Sequence, residues 1–491
     1  MIKNYIENNI ISKVPIGFRY NLFSDGTVEI AETDKKEKIL FLPQTIDDRL
    51  VTGIAATAFK DCSYLESIIL PESVVSIGDN AFRGCVSLRS IALPDAIASL
   101  GKGVFCDCSA LESVTLPENI TLIRDYTFSN CASLKSIVLP DSITDIGDGA
   151  FWKCLALKRI ALPDSVTDIG DYAFSDCSFL EDITFSASIT SIGNSAFSSC
   201  SSLKRVKLPD STTVIGNYAF SHCTSLENII LPASISSIGG RAFWNCASLE
   251  SIRLPDSINI IEESTFRDCT SLKSVALPDS ISSIEHSAFW KCTSLKSITL
   301  PDAITSIGNS AFWQCTALES VNLPESLTIV KDHAFSGCKA LERITLPETV
   351  ISIGNYVFCD CTSLEQLVFP AAISNIGYSA FWHCTSLKSL ILPNSVTSVR
   401  DSTFRSCTSL ERIVLPDSIL SIEDGAFCDC KALKNIVFPA SLKSIGESAF
   451  RRCLSLKSIE LPASVTSIKD RAFRGCLALK TIVFPASITS M

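Results

Sequence analysis

One spacing of 23 residues recurs through most of the chain and constrains its fold more than any other feature. Prolines follow it from Pro71 to Pro485, with a single gap at Ser186. Phenylalanines follow it from Phe59 to Phe473, and cysteines from Cys62 to Cys476, without a gap. Because three residue types share one period and one phase, the sequence predicts a stack of similar structural units, as in solenoid proteins.

The repeat has a pattern typical of short strands. With proline as position 1 it reads P-x-S-I-x-x-I-G-x-x-A-F-x-x-C-x-x-L-x-x-I-x-L, and residues 301–323 are one clear copy. Apolar residues at positions 21 and 23 alternate with outward residues at 20 and 22, which predicts a strand that the next proline ends. The Ile- and Val-rich positions 4 to 7 predict a second strand, and A-F-x-x-C predicts a single helical or 3₁₀ turn.

Each repeat is therefore expected to be one coil of a repeat solenoid. A single coil cannot bury its own apolar side chains, whereas stacked coils bury them against the coils above and below. The sequence predicts about 19 such coils, from residues 48–70 (coil 1) to residues 462–484 (coil 19). Each repeat position then forms a column of side chains along the stack.

The unit L-x-x-I-x-L-P-x-S-I-x-x-I-G-x-x-A-F-x-x-C resembles that of the BspA-type leucine-rich-repeat family, over residues ~43 to 491. The segment YNLFSDGTVEIAETDKKEKILFLPQTIDDRLVTGIAATAF also looks like the hairpin and first coil that open such proteins. The resemblance implies a right-handed leucine-rich-repeat β-solenoid or arc with a parallel sheet on one face. It also implies a role in adhesion or host contact, because members are mostly surface or secreted proteins of gut and oral microbes and some protists.

The two ends differ from the repeat. Residues 1–42 are predicted to be an N-terminal capping segment with a hairpin, whose turn lies at residues 23–27. Residues 43–491 are predicted to be the solenoid, with five extra residues near positions 47–50. The last coil is incomplete and no polar cap follows it. Since an uncapped end exposes strand edges, we expect that the natural chain continues or that this C-terminal end self-associates.

Charge and hydropathy limit the partners and the location. The formal net charge of −10 argues against nucleic acid, because phosphate binding needs a cationic surface. No apolar run approaches the ~18 residues of a membrane span, so we expect no membrane insertion. The first 20 residues lack the apolar core and cleavage site of a signal peptide, which at face value places the chain in the cytoplasm. The family resemblance implies the surface or secretion instead, and both locations stay open.

The sequence does not favour an enzyme. From Pro71 to Pro485 the repeat carries no insertion, so no loop can bring distant groups into one cleft. Four histidines, at positions 222, 286, 333 and 383, lie in unrelated coils or at different repeat positions. No phosphate-binding loop, nucleophile elbow or metal motif is present. We therefore predict no catalytic residue and no cofactor.

Twenty-two cysteines raise the questions of disulfides and metal. Nineteen of them form the column at position 15, where neighbouring rungs would lie within disulfide reach. Buried thiols that pack as small apolar groups explain this column equally well, and we favour them. The other three, Cys106, Cys359 and Cys428, lie many coils apart, so they do not predict a four-ligand zinc site.

The candidate contact residues are aromatic and basic. All five tryptophans stand at position 13, directly after the column phenylalanine, and exposed aromatic residues often anchor protein contacts. Neighbouring tryptophans are expected to stack, and partial burial against the adjacent coil is the alternative explanation of all five. Positions 20 and 22 line a smooth sheet face suited to a broad protein surface rather than a small ligand. The candidates are Trp152, Trp244, Trp290, Trp313 and Trp382, with Arg159, Arg205, Arg343 and Arg412 at position 20.

Position 19 is charged in every coil, nine times acidic and ten times basic. We interpret this column as structural, because an exposed ion pair contributes only ~0–1 kcal/mol. An unbroken repeat leaves only surfaces for function. The sequence therefore predicts a non-enzymatic protein-interaction or adhesion module with a protein partner, of a host or a cell surface. The alternatives are an intracellular scaffold and a self-assembling structural rod.

Overall fold

The computed structural model describes residues 17–34 and 36–490, so the part of the predicted capping segment before residue 17 lies outside the described residues. The chain divides into two compact units, one up to Ala247 and one from Ser248. Both units are β-solenoids of short parallel strands. Among residues 17–34 and 36–490 there is no helix.

A hairpin precedes the first coil. Strand Phe18–Leu22 pairs antiparallel with Val28–Thr33, and the Phe23 amide donates to the Thr27 carbonyl across the turn at 2.8 Å. Strand Val28–Thr33 then pairs in parallel with Arg49–Ile54 of coil 1. The second strand of the hairpin therefore extends the column of short strands by one rung.

The extra residues of the first coil form a second, tighter hairpin. Strand Thr45–Ile46 pairs antiparallel with the first residues of Arg49–Ile54. Asp47 and Asp48 connect them, and both have positive φ, of 49° and 59°. Two left-handed residues in succession are typical of the two-residue turn that suits a twisted hairpin.

Positions 20 to 22 form the longer strands, whose middle residue is buried while its neighbours face outward. These strands pair in parallel with the same positions of a neighbouring coil, in sheets of two to four strands, as in Ser90–Ala92 with Ser113–Thr115. In the first unit, after Ile39–Phe41, these strands are Ser67–Ile69, Ser90–Ala92, Ser113–Thr115, Arg159–Ala161, Asp182–Thr184, Arg205–Lys207 and Asn228–Ile230. In the second unit they are Ser251–Arg253, Ser274–Ala276, Ser297–Thr299, Ser320–Asn322, Arg343–Thr345, Gln366–Val368, Ser389–Ile391, Arg412–Val414, Ser458–Glu460 and Thr481–Val483.

Positions 6 and 7 form two-residue strands that also pair in parallel along the stack, with position 7 buried. In the first unit they are Ser76–Ile77, Ser99–Leu100, Leu122–Ile123, Asp145–Ile146, Asp168–Ile169, Ser191–Ile192, Val214–Ile215 and Ser237–Ile238. In the second unit they are Ile260–Ile261, Ser283–Ile284, Ser306–Ile307, Ile329–Val330, Ser352–Ile353, Asn375–Ile376, Ser398–Val399, Ser421–Ile422, Ser444–Ile445 and Ser467–Ile468. Parallel register at a 23-residue offset keeps every repeat position in its own column.

The A-F-x-x-C segment forms single hydrogen-bonded turns, as the sequence predicts, and no continuous helix. It is a succession of turns, as when the Lys60 amide donates to the Thr57 carbonyl at 3.1 Å. Positions 10 and 14 have positive φ in each coil, for example 61° at Thr57 and 59° at Asp61. Two left-handed residues four positions apart prevent consecutive helical hydrogen bonds. The backbone therefore changes direction at positions 10 and 14.

The core of each unit is a set of columns. The position-12 phenylalanines from Phe59 to Phe450 are buried and lie face to face, with ring centroids 5.4 Å apart at Phe128 and Phe151 and 5.3 Å apart at Phe312 and Phe335. Burying one such ring stabilises the fold by about 1.5–3 kcal/mol. The Ile, Leu and Cys columns complete the apolar interior.

Glycine at position 8 is present for close approach rather than for a positive φ. A Cβ atom built on Gly78 would lie 2.5 Å from the backbone nitrogen of Ala56 in the preceding coil. Where position 8 carries a larger residue, such as Arg124 or Glu262, the neighbouring backbone must give way.

Candidate interaction surfaces

The cysteine column is part of the packing. In the described part of the chain every cysteine is a free thiol, and nearly all are buried. From Cys85 onward the Sγ atoms of the column donate to the phenylalanine carbonyl of the preceding coil, as Cys85 does to Phe59 at 3.1 Å. The same carbonyl accepts the Cys62 amide at 3.2 Å. The thiols therefore satisfy backbone acceptors while they fill the core.

Burial also makes these thiols unreactive. It raises the pKa of Cys177 and of Cys315 to about 12. A thiol with so high a pKa holds almost no thiolate at neutral pH, and thiolate is the nucleophile and metal ligand. Among residues 17–34 and 36–490, no group of three or more His, Cys, Asp or Glu side chains could hold a metal ion.

The four position-20 arginines do not form a cluster. Each begins a separate strand on the sheet face of its unit, and at least one coil without such an arginine separates the two in each unit. Arg159 lies beside Asp182 and Arg205 beside Asn228 in the first unit. Arg343 lies between Ser320 and Gln366 in the second unit. They are single exposed cations rather than one basic site.

The sheet faces of the two units are less smooth than the sequence suggests, since each carries an open depression. One of about 350 Å³ lies beside the first strands of the first unit. One of about 420 Å³ lies in the second unit, lined by Glu342, Arg343, Ser363, Glu365, Gln366 and Ser386. Both are partly open to solvent, so neither fully encloses a small molecule.

The two tryptophans of the first unit lie far apart and pack locally. Trp152 donates from Nε1 to the Asp176 carboxylate at 2.9 Å, and the Lys153 ammonium lies 4.7 Å from its ring centroid. Trp244 packs on His222, with ring centroids 4.6 Å apart. Both tryptophans are half-buried. Partial burial therefore describes this pair well.

The three tryptophans of the second unit belong to a larger group. Trp290 and Trp313 are in contact, with ring centroids 4.2 Å apart, but their planes are tilted by 48° rather than stacked as expected. The contacts continue through histidine and tyrosine side chains at positions 9 and 10 of the next coils. We call this group the aromatic column; its members are Trp290, Trp313, His333, Tyr356, Tyr378 and Trp382.

Ring contacts connect the members of the aromatic column from coil 11 to coil 15. Trp313 lies 5.8 Å from His333, and His333 lies 4.8 Å from Tyr356 with nearly parallel rings. Tyr356 then contacts Tyr378 edge to face at 5.3 Å and Trp382 at 6.4 Å. Tyr378 and Trp382 are the most exposed members, at 44% and 38%. The column is therefore anchored at its start and open at its end.

An arginine stands at each end of the aromatic column. The Arg267 guanidinium lies 4.1 Å from the Trp290 ring centroid, and that of Arg405 lies 6.0 Å from the Trp382 centroid. Between them the column is uncharged at neutral pH, because burial lowers the pKa of His333. Aromatic rings with arginine at the margin form the composition that protein interfaces concentrate.

Half of this column, the three tryptophans at position 13, was predicted from the sequence. The other members, His333, Tyr356 and Tyr378, stand at positions 9 and 10 and were not predicted. The signal was present, since aromatic residues occupy one of these three positions in five successive coils. What the repeat does not reveal is that the turn after position 8 brings positions 9, 10 and 13 side by side.

The described residues contain no helix with the length and hydrophobicity required to cross a bilayer. No curated protein matches the sequence. Among solved structures, a leucine-rich repeat protein from Bacteroides ovatus is similar, at 27% identity and a TM-score of 0.53, over 97% of this chain and 100% of that one. The T. pallidum leucine-rich repeat protein is similar at 30% identity and a TM-score of 0.36, over 43% of this chain and 87% of that one.

The family model described as "BspA type Leucine rich repeat region (6 copies)" matches residues 44–158, 144–273, 190–319, 259–388 and 374–491. These matches together cover the chain from residue 44 to its end, which is the region of the 23-residue repeat. The structure has the same period in its strands and in its buried columns. The chain belongs to the BspA-type leucine-rich-repeat family.

Proposed function

We propose that this chain is a non-enzymatic protein-binding module whose main contact surface is the aromatic column of the second unit. The observation that carries the proposal is the unbroken run of rings from Trp290 to Trp382, with Arg267 and Arg405 at its ends. Tryptophan, tyrosine and arginine are the residues that dominate binding energy in protein interfaces. Leucine-rich-repeat proteins are also typically interaction modules.

Preorganisation supports this choice. Rings that already pack on each other lose little freedom when a partner binds, so more of the contact energy appears as affinity. The uncharged rings at the centre of the column, His333 among them, suit an apolar patch on the partner, and the two arginines suit carboxylates at the edge of that patch. The tryptophans of the first unit belong to shorter groups, such as Trp244 with Tyr218 and His222, and form a less extended surface.

A capture experiment with matched variants tests the proposal. The intact protein and a Trp290→Ser/Trp313→Ser/Trp382→Ser variant are used as bait for cell-surface proteins, and the affinity of each captured protein is measured by titration. The control is Trp152→Ser/Trp244→Ser, which removes indoles from the first unit alone. We expect the first variant to lose at least tenfold in affinity and the control to bind as the wild type does, since hot-spot residues each contribute about 2 kcal/mol or more. Equal binding by all three would contradict the proposal.

The setting we propose is adhesion at a cell surface, which follows from the family rather than from any residue. Fractionation of cells that express the natural gene tests this part separately. A pool confined to the cytosol would exclude adhesion and favour an intracellular scaffold, while the binding role of the aromatic column would stand.

A further inference from the structure

The sheet face of the second unit carries an exposed apolar strip. At position 22 of coils 14 to 17, four β-branched side chains follow one another: Val368, Ile391, Val414 and Val437. Their exposed fractions are 80%, 70%, 36% and 81%. They point outward because position 21 of each coil is buried. With ~4.8 Å between strands, the aliphatic strip is about 14 Å long.

The strip has defined ends within the position-22 column. Thr345 precedes it in coil 13, and Glu460 follows it in coil 18. The first unit has no run of four β-branched residues: Phe41 pairs with Ile69 at the start of this column, and Val138 stands between Thr115 and Ala161. Contiguous exposed apolar side chains with a polar boundary are typical of interaction sites rather than of ordinary surface.

The charged column beside the strip has an unusual symmetry. The position-19 residues of coils 12 to 19 have the charge order − − − + − + + +, and reversing that order changes the sign at every place. The centre of this order lies between coils 15 and 16, which is also the centre of the aliphatic strip. The eight residues are Glu319, Glu342, Glu365, Lys388, Glu411, Lys434, Lys457 and Lys480.

A twofold axis along the strand direction, between coils 15 and 16, would reverse the coil order of one copy against the other. Lys388 of one copy would then face Glu411 of the second, and Glu365 would face Lys434. All eight positions would meet opposite charges, while the aliphatic strip would meet itself. A twofold interface requires a surface that is complementary to itself, and this face fulfils that requirement.

We propose that two copies of this chain associate face to face through the aliphatic strip and its flanking position-19 charges. The eight coils span about 34 Å. A strip of that length and only a few residues wide buries less area than the ~800 Å² per partner of a standard stable interface. The association is therefore weak and concentration-dependent. It uses different residues from the aromatic column and does not depend on the proposed function.

Sedimentation equilibrium over a wide concentration range tests the proposal first. The wild type should show a reversible monomer–dimer equilibrium that weakens as salt rises, because exposed charges are screened. Ile391→Lys/Val437→Lys should abolish the dimer, since it places charges in the aliphatic strip. Val138→Lys, an equally exposed position-22 residue of the first unit, should leave it unchanged. A wild type that stays monomeric up to its solubility limit would overturn the proposal, as would equal effects of the two variants.

Charge exchange tests the twofold arrangement itself. Lys388→Glu and Glu411→Lys each place like charges opposite one another twice, so each variant alone should dimerise about tenfold or more weakly. When the two variants are mixed, each new charge meets its opposite across the interface, and a heterodimer of wild-type affinity should form. A mixture that associates no better than the separate variants would overturn this geometry. If the strip variants instead lost only the binding of another captured protein, the occupant would be that protein and not a second copy.

Discussion

The interiors of the two units are built alike, but their surfaces differ. In both, the position-12 phenylalanines stack at 5–6 Å and the position-15 thiols donate to the carbonyls of the preceding coil. In the first unit, departures from the consensus form shorter runs, as with Tyr218 and Trp244 in neighbouring coils. In the second unit, departures follow one another in successive coils and form the aromatic column and the aliphatic strip.

This difference shows where function can arise in a regular repeat. A single outward residue gives one separate contact, whereas the same kind of residue in four or five successive coils gives a continuous surface. The repeat supplies the spacing, and the run of substitutions supplies the chemistry. Matched substitutions in the two units should therefore have equal effects in the interior and unequal effects on the surface.

Alkali should unfold both units, with the largest effect of any condition considered. Burial raises the pKa of column thiols such as Cys177 and Cys315 from the ordinary value of 9.0 to about 12. Between these values the unfolded chain has lost protons that the folded chain keeps, so the free energy of unfolding falls as pH rises. Each such thiol contributes a slope of about 1.4 kcal/mol per pH unit. Circular dichroism against pH should show stability unaffected by thiols below about pH 8 and lost steeply above about pH 9.

The absorbance of thiolate shows at which pH the thiols ionise and can therefore contradict this prediction. If the thiols ionised near pH 9 while the circular dichroism stayed native, they would not be buried as the structure has them. Cys177→Ala and Cys315→Ala should each reduce the slope by the contribution of one thiol, to the same extent in the two units.

The next largest effect is the removal of one ring from the phenylalanine column. Phe151→Ala in the first unit and Phe312→Ala in the second should each cost about 3–5 kcal/mol, because both rings are fully buried between parallel neighbours. Urea denaturation followed by circular dichroism measures the free energy of unfolding. A loss confined to one unit would contradict the view that the two interiors are equivalent.

The sequence predicted these shared interiors well and the surfaces only in part. A strict period fixes which residues form a column, so the phenylalanine and cysteine columns and the parallel strands follow directly from the spacing. The period does not reveal how the turns fold. The positive φ at positions 10 and 14, held by residues as different as Tyr126 and Asp176, has no single sequence signature. The sequence therefore does not predict that positions 9, 10 and 13 lie close together, which is what creates the aromatic column.

A smaller effect distinguishes the two kinds of tryptophan. Trp290 Nε1 is buried without a hydrogen-bond partner among the described residues, whereas Trp152 Nε1 donates to Asp176 at 2.9 Å. Trp152→Phe loses that bond and should destabilise the first unit by about 1 kcal/mol. Trp290→Phe removes an unsatisfied donor, and this gain offsets the smaller ring and its weaker contact with Arg267. Melting temperatures should therefore fall for Trp152→Phe and stay level or rise for Trp290→Phe; equal falls would contradict the assignment.

Substitutions in exposed ion pairs should have the smallest effect on stability, but they distinguish the two units by their effect on dimerisation. Glu112 pairs with Lys135 in the first unit, where the hydrogen bond to that lysine lowers the pKa of Glu112, and Glu365 pairs with Lys388 in the second. Both pairs are exposed, so Glu112→Gln and Glu365→Gln should leave the melting temperature nearly unchanged. Only Glu365 would also face Lys434 of a second copy. Glu365→Gln should therefore weaken dimerisation in sedimentation equilibrium while Glu112→Gln does not, and identical behaviour of the two variants would mean that the charge order of the second unit has no part in association.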